Sequence, residues 1–194
     1  MTTFLDTLLP VVDACEDCMI DYYIGGSIAT IAHGVPRTTL DVDIIVEISH
    51  AQVDRFVAHL DHDFYIQATD IHDAITQRSS FNLVHLASML KIDMFLAPLR
   101  PFDKAKAQRV VEIQLTTTSN RRFRVTSPED IVLQKLEWYA LGGQVSERQW
   151  HDIQGVLRIQ STSLDIAYMR TWATQLNLNP LLIRALHDAG LHRD

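Results

Sequence analysis

The chain has 194 residues, a formal charge of -7, 47% hydrophobic and 21% charged residues. That is enough for one substantial domain plus a small helical appendage, with a core that needs neither disulfide nor structural metal, and it excludes a disordered chain. The acid excess excludes a protein that coats nucleic acid through a wholly basic surface, though not a local basic strip.

No apolar run approaches the roughly 20 residues of a membrane span. The N-terminus lacks the positive start and small-residue cleavage site of a signal peptide, so a cytoplasmic setting is expected. Phe4 to Cys18 carries Leu5, Leu8, Leu9, Val12 and Cys15 at helical spacing. Pro10 falls inside it, so the helix is either short or begins near Pro10. Cys15 and Cys18 read as reduced thiols on or near this helix. A single C-x-x-C is no four-ligand zinc site, and without a preceding thioredoxin-like strand a redox pair is the minor reading.

Tyr22 to Ile24 read as a buried strand stopping at Gly25-Gly26. Ser27 to His33 is a short apolar helix closed by Gly34 and Pro36. Thr38 to Ile48 is strongly β-branched and reads as a central strand, followed by a helix over Ala51 to Leu60 capped by Ser49. A short strand over Phe64 to Ile66 and a helix over Asp70 to Arg78 come next. Phe81 to Leu86 and Lys91 to Leu96 form a hairpin whose turn, 87–90, has neither Gly nor Asn. Pro101 opens a helix to about Arg109. A further β pair is expected around Thr117-Ser119-Asn120 and Phe123 to Val125. Ser127-Pro128-Glu129-Asp130 is a strong helix start, with a cap, a Pro at the first helical position and acids at the positive end of the dipole. Helices then cover roughly 128–141, 146–160, 164–176 and 180–190. The expected organisation is a mixed α/β sheet domain over 1–126 and a helical bundle over 127–194.

Chemistry is concentrated in Gly25-Gly26-Ser27 and in Arg37-Thr38-Thr39-Leu40-Asp41-Val42-Asp43-Ile44. Gly-Gly-Ser at a strand-to-helix junction exposes backbone N–H groups and a hydroxyl to an anion, which makes a phosphate cradle; alone, it is more often just a turn. Asp41 and Asp43 stand at i and i+2 on a strand and share a face. Two carboxylates there, amid Leu40, Val42, Ile44 and Ile45, repel each other and are costly to desolvate. A hard divalent cation such as Mg²⁺ or Mn²⁺ resolves this, and so does an exposed edge-strand face. Asp93, an acid in the apolar strand Lys91 to Leu96, completes a three-carboxylate cluster if that strand lies beside 38–48.

The run Gly-Gly-Ser, then Arg-x-Thr-x-Asp-x-Asp, then a later strand-borne acid resembles the nucleotidyltransferase superfamily related to DNA polymerase β. It is similar in particular to the minimal bacterial branch that includes abortive-infection-type toxins. The resemblance covers the α/β part well and continues more loosely through Ser127 to Leu136. It implies an α+β fold, a nucleotidyltransferase-like mixed β-sheet flanked by helices with a C-terminal helical bundle. It also implies transfer of a nucleoside monophosphate from an NTP to an acceptor hydroxyl, on RNA or protein, with a possible cognate antitoxin as partner. Gly25, Gly26, Ser27, Arg37 and Thr39 would contact the nucleotide. Asp41, Asp43 and Asp93 would bind Mg²⁺ or Mn²⁺, with Asp93 as candidate general base. Lys135 and Asp152 match a helical Lys and a downstream helical Asp of the toxin branch, against the alternative of a surface lysine and a solvated acid. The loop from Ser27 to Asp41 is longer than in compact members and holds His33 and Arg37; Arg37 either contacts a phosphate or the acceptor, or pairs with a nearby acid.

A non-catalytic module of the same fold, binding a partner or a nucleotide, is the alternative from another class. A metal-dependent phosphohydrolase is a third, weaker option. Trp138, Tyr139, Trp150, Tyr168 and Trp172 at helical spacings are expected in the bundle core. His59 and His62 read as surface residues. His85 reads as a packed strand residue or as one facing the site. Arg100 to Arg124 is locally basic, either a guide for a polyanionic acceptor such as tRNA or a solvated surface of mixed charge.

Overall fold

The computed structural model describes residues 4–36, 38–39, 41–115 and 120–191. The chain forms two compact units, Met1–Ile28 with Thr38–Ala107, and Ala29–Arg37 with Gln108–Asp194.

In the first unit, helix α1 (Phe4–Asp17) runs straight through Pro10. Pro10 donates no N–H to the turn before it. The helix persists because its buried stripe, Leu8, Val11, Val12 and Cys15, is fully withdrawn from water, each such side chain being worth about 1.5–3 kcal/mol. Cys15 and Cys18 are free and buried, and burial pushes the Cys15 thiol well above the usual range.

Strand β1 (Asp21–Ile24) leads into the short helix α2 (Gly26–Ala32), and β2 (Asp41–Glu47) follows. A 3₁₀ turn at His50–Gln52 precedes α3 (Val53–Leu60), with Gln52 Oε1 accepting the Ser49 N–H. Then come β3 (Phe64–Tyr65), α4 (Ala68–Gln77), β4 (Ser80–His85), β5 (Lys91–Leu96) and α5 (Pro101–Gln108). The strands of this unit lie in the order β3-β4-β5-β2-β1. β2 and β5 are parallel, while β1–β2, β4–β5 and β3–β4 are antiparallel, so the sheet is mixed.

The β4–β5 turn works without Gly or Asn. Met89 takes a left-handed φ of 57°, and the Ser88 hydroxyl ties His85 Nδ1 (2.7 Å) to the Leu90 N–H (3.3 Å). His85 is therefore a packed residue, its ring 5.1 Å from that of Phe64.

The second unit begins within α2. The expected β pair is present, but its first strand lies earlier, as β6 (Val111–Gln114) against β7 (Arg122–Val125). Of the residues expected in that strand, Thr117 and Ser119 lie outside the described residues and Asn120 lies between β6 and β7. Four helices follow: α6 (Pro128–Leu141), α7 (Glu147–Ile159), α8 (Ile166–Gln175) and α9 (Asn179–Asp188). Ser127 caps α6, accepting from the Asp130 N–H. The aromatic expectation fails: Tyr139 is buried, but Trp138 is 40% exposed and Trp150, Tyr168 and Trp172 are only part-buried. Aliphatic side chains make the core instead, among them Ile131, Leu136, Ile153, Leu157, Met169 and Leu182. These branched or flexible chains fill the space between the helices, and the larger indoles lie toward the margin.

The acids of the helix start do more than serve the dipole. Asp130, fully buried, accepts from the Ser127 hydroxyl (2.7 Å) and the Tyr168 hydroxyl (2.6 Å). Glu129 accepts the Asp165 N–H at 2.9 Å and faces Arg109 at 3.4 Å. The Arg109 guanidinium lies 4.0 Å from the centre of the Tyr168 ring. Burial and the bond to Asp130 push the Tyr168 hydroxyl well above the usual tyrosine range.

His33 is buried in this unit, and its Nε2–H donates to the Thr126 carbonyl at 2.7 Å. Burial lowers its pKa, opposed by that hydrogen bond and by Glu129. The unfolded chain then takes up this proton near the ordinary histidine value of about 6.5, before the folded protein does. This contribution to stability is intact above that value and is lost as pH falls toward the lower folded one. His33→Gln keeps a donor for Thr126 and removes the titration. Urea midpoints at pH 7.5, 6.5 and 5.5 should therefore fall less in the variant than in the parent; equal slopes would refute the assignment.

Candidate active site

The sheet of the first unit has two chemically distinct faces. On one, Val42, Ile44, Leu83, Ile92 and Met94 are all buried. On the other, parallel register sets Asp43 beside Asp93 and Asp41 beside Lys91, and antiparallel register sets Asn82 on the far side of Asp93. Paired residues in a sheet project to the same side, so Asp43, Asp93 and Asn82 form one cross-strand row, with Asp41 and Lys91 in the next. Asp43 and Asp93 are part-buried and Asp41 is exposed.

Gly25 and Gly26 close the first row. The Gly25 N–H is spent on the Asp43 carbonyl at 2.9 Å, which extends the β1–β2 ladder. It is therefore a structural donor of the sheet. Gly26 has φ of +52°, and any Cβ there would overlap the Asp43 carboxylate. A glycine is needed on both counts.

Thr39 reaches the same strand, its hydroxyl donating to the Asp41 carbonyl (3.2 Å) and accepting the Asp41 N–H (3.3 Å). It fixes the entry of β2. Arg37, the other candidate on this loop, lies outside the described residues.

Sequence reasoning passed over two residues, Lys91 and Asn82. Lys91 Nζ lies 2.9 Å from Asp93 Oδ2. The Asn82 carboxamide, in the orientation that satisfies both its ends, donates to Asp93 Oδ1 and to the Phe81 carbonyl (3.3 Å). Both Asp93 oxygens thus have partners. The hydrogen bond to Asp93, then the charges of Asp93, Asp41 and Asp43, hold Lys91 above the usual lysine range despite some desolvation. The available signal was the i, i+2 spacing of Lys91 and Asp93, which puts both on one face.

Among the described residues no three His, Cys, Asp or Glu side chains form a ready metal cage. The donor set still suits a hard divalent ion, since Asp41, Asp43 and Asp93 offer only oxygen from one face of the sheet. Their formal charge of -3 with +1 from Lys91 leaves -2.

Lys135 and Asp152 lie in the second unit, and neither is a surface residue. Lys135 Nζ donates to Asp152 Oδ2 at 2.8 Å, with 4% of each side chain exposed. At least four of the seven basic residues in 100–124 have acid partners: Arg100 and Lys106 with Asp103, Arg109 with Glu129, and Arg122 with Glu112. Much of that stretch is therefore neutralised locally.

Two stability measurements test this geometry. Gly26→Ala should cost about 1–2 kcal/mol for the left-handed backbone alone. Gly143→Ala pays a similar backbone cost at φ +73° with nothing within 4 Å of its Cβ. The Gly26 variant should lose more, by its denaturant midpoint, because the Asp43 carboxylate must move. Lys135→Met should cost about 3–5 kcal/mol by taking the ammonium away from the buried Asp152 carboxylate, and Lys135→Met with Asp152→Leu should recover much of it. Unchanged stability in Lys135→Met would show that the pair is no structural clamp.

No protein-family model and no curated protein sequence matches the chain. Solved structures do. ANT(2″)-Ia in complex with adenylyl-2″-tobramycin matches with a TM-score of 0.57 at 12% identity, over 91% of this chain and 98% of that one. An antigenic nucleotidyltransferase-like protein from Paracoccidioides brasiliensis matches at 0.55 and 20% identity, over 93% and 91%. The lincosamide antibiotic adenylyltransferase LnuA, lincomycin-bound, matches at 0.50 and 20% identity, over 78% and 95%. At these identities the likeness is one of architecture: the mixed α+β chain has a nucleotidyltransferase-like fold.

Proposed function

We propose that the chain is a Mg²⁺- or Mn²⁺-dependent nucleotidyltransferase that moves a nucleoside monophosphate from an NTP to an acceptor hydroxyl. The observation that carries this reading is the in-register placement of Asp43 beside Asp93, with Asp41 one step along the same face and Gly26 packed on Asp43.

In this reading Gly26 and Ser27, opening α2 next to Asp43, bind the β- and γ-phosphates through backbone N–H groups and the serine hydroxyl. Thr39 contributes by fixing Asp41, and the role of Arg37 toward the nucleotide rests on the sequence motif. Asp41, Asp43 and Asp93 hold the divalent ion, which when bound neutralises the triphosphate and the charge that develops on the pyrophosphate. The acceptor oxygen attacks the α-phosphorus, the new O–P bond forms as the bond to the β-phosphate oxygen breaks, and pyrophosphate leaves with that electron pair. Asp93 accepts the hydroxyl proton. Lys135 and Asp152 are catalytic candidates on the motif resemblance alone, and they meet as a buried ion pair in the helical unit.

The acceptor hydroxyl on RNA or protein, and with it a toxin role and a cognate antitoxin, rests on the motif resemblance. A small-molecule acceptor is the second reading. It is favoured by the complexes of ANT(2″)-Ia with adenylyl-2″-tobramycin and of LnuA with lincomycin.

Each NTP, labelled at the α-phosphate, is incubated with Mg²⁺ and in turn with RNA, cell protein, an aminoglycoside and a lincosamide. Label should move to one acceptor class with equimolar pyrophosphate release, and Asp41→Ala or Asp43→Ala should reduce transfer on the order of 10²–10³-fold. Full transfer in both variants would sink the reading. Nucleotide binding without transfer to any acceptor would favour the non-catalytic module, and release of inorganic phosphate a phosphohydrolase.

A further inference from the structure

We propose that Lys91 is the built-in counter-cation of the carboxylate row, holding Asp93 while no divalent ion is bound and yielding to the ion when it arrives. The inference rests on the metal-dependent reading above and assigns Lys91 a positioning role rather than a catalytic one.

Register alone places the lysine there. Lys91 is the cross-strand partner of Asp41 and stands two residues before Asp93, so its side chain shares the face of all three acids. Its ammonium sits 2.9 Å from Asp93 Oδ2, while the Asn82 carboxamide takes Oδ1. With both oxygens engaged, Asp93 is held in one orientation, and the described acids form no three-ligand cage. A divalent ion that recruits Asp93 must take an oxygen from one of these two partners.

Mobility and charge decide which partner yields. Asn82 lies in β4, and its carboxamide is also tied to the Phe81 carbonyl. The Lys91 side chain is 46% exposed, against 17% for Asp93. A four-carbon stem carries the ammonium into water with little lost packing. Charge favours the same exchange, since a dication and a nearby ammonium repel each other. Without any cation, three carboxylates in adjacent rows would repel one another across the strands. Lysine at position 91 relieves that repulsion in the metal-free protein, and it sets a threshold that the ion must exceed.

The test is Mn²⁺ binding to the full chain without nucleotide, read by the electron paramagnetic resonance of free Mn²⁺, with circular dichroism to confirm the fold of each variant. Lys91→Met should bind Mn²⁺ about fivefold or more tightly than the parent. Lys91→Arg, which keeps the charge, should bind no more tightly than the parent, and Asp43→Asn should lose binding. Equal or weaker binding by Lys91→Met overturns the proposal. If Asp43→Asn loses binding in that case, the metal site stands and only the role of Lys91 falls. If Asp43→Asn binds as the parent does, or neither the parent nor Lys91→Met binds Mn²⁺, the metal reading falls with it.

Discussion

Strand β2 pairs with β5 in parallel, Asp43 beside Asp93, and a slip of β2 by one residue would send Asp41 and Asp43 into the core. That cost sets the register. Val42, Ile44, Ile92 and Met94 are buried on the opposite face, so the pairing that satisfies the apolar set also gathers the acids. The acids do not stabilise their own arrangement; like charges in neighbouring rows oppose it. The hydrophobic face supplies the free energy, and Lys91 and Asn82 reduce the repulsion.

The second unit handles its buried charge differently. Asp130 is fully withdrawn from water yet accepts from two hydroxyls, and Lys135 and Asp152 pair with each other at 2.8 Å. Each buried carboxylate has partners already in place. Such groups favour a single arrangement of the helices around them while adding little net stability over apolar packing. The carboxylates of the sheet face, part-buried or exposed, suit exchange with a mobile cation far better.

Much of this was legible in the chain. Gly25-Gly26 at the end of β1, the i, i+2 acids of β2 and the cap at Ser127 depend on neighbours within a few residues, and local rules find them. What failed was non-local or compensated. Pro10 reads as a boundary, but the helix runs through it because its buried stripe outweighs one lost hydrogen bond. The turn at 87–90 lacks Gly and is made by Ser88 bonding to His85 and Leu90. Helical spacing puts the aromatic residues in the bundle core, yet periodicity assigns a face and not a depth, so Trp138 stays 40% exposed. Asn82 carried no signal at all, since its partner Asp93 is set by strand pairing.

The sequence by itself determined the alternation of β2 and β5, the conformational freedom at Gly26 and the presence of three strand-borne acids. These follow from a two-residue period and from the sterics of single residues. Tertiary structure alone decided that Asp43 and Asp93 are neighbours, that Lys91 and Asn82 divide the oxygens of Asp93 between them, and that Lys135 is buried against Asp152 rather than exposed. Each of those pairs joins different strands or helices, except the close i, i+2 contact of Lys91 with Asp93. Which partner a charge finds across such a gap is set by packing of the intervening chain, and no local rule contains that information.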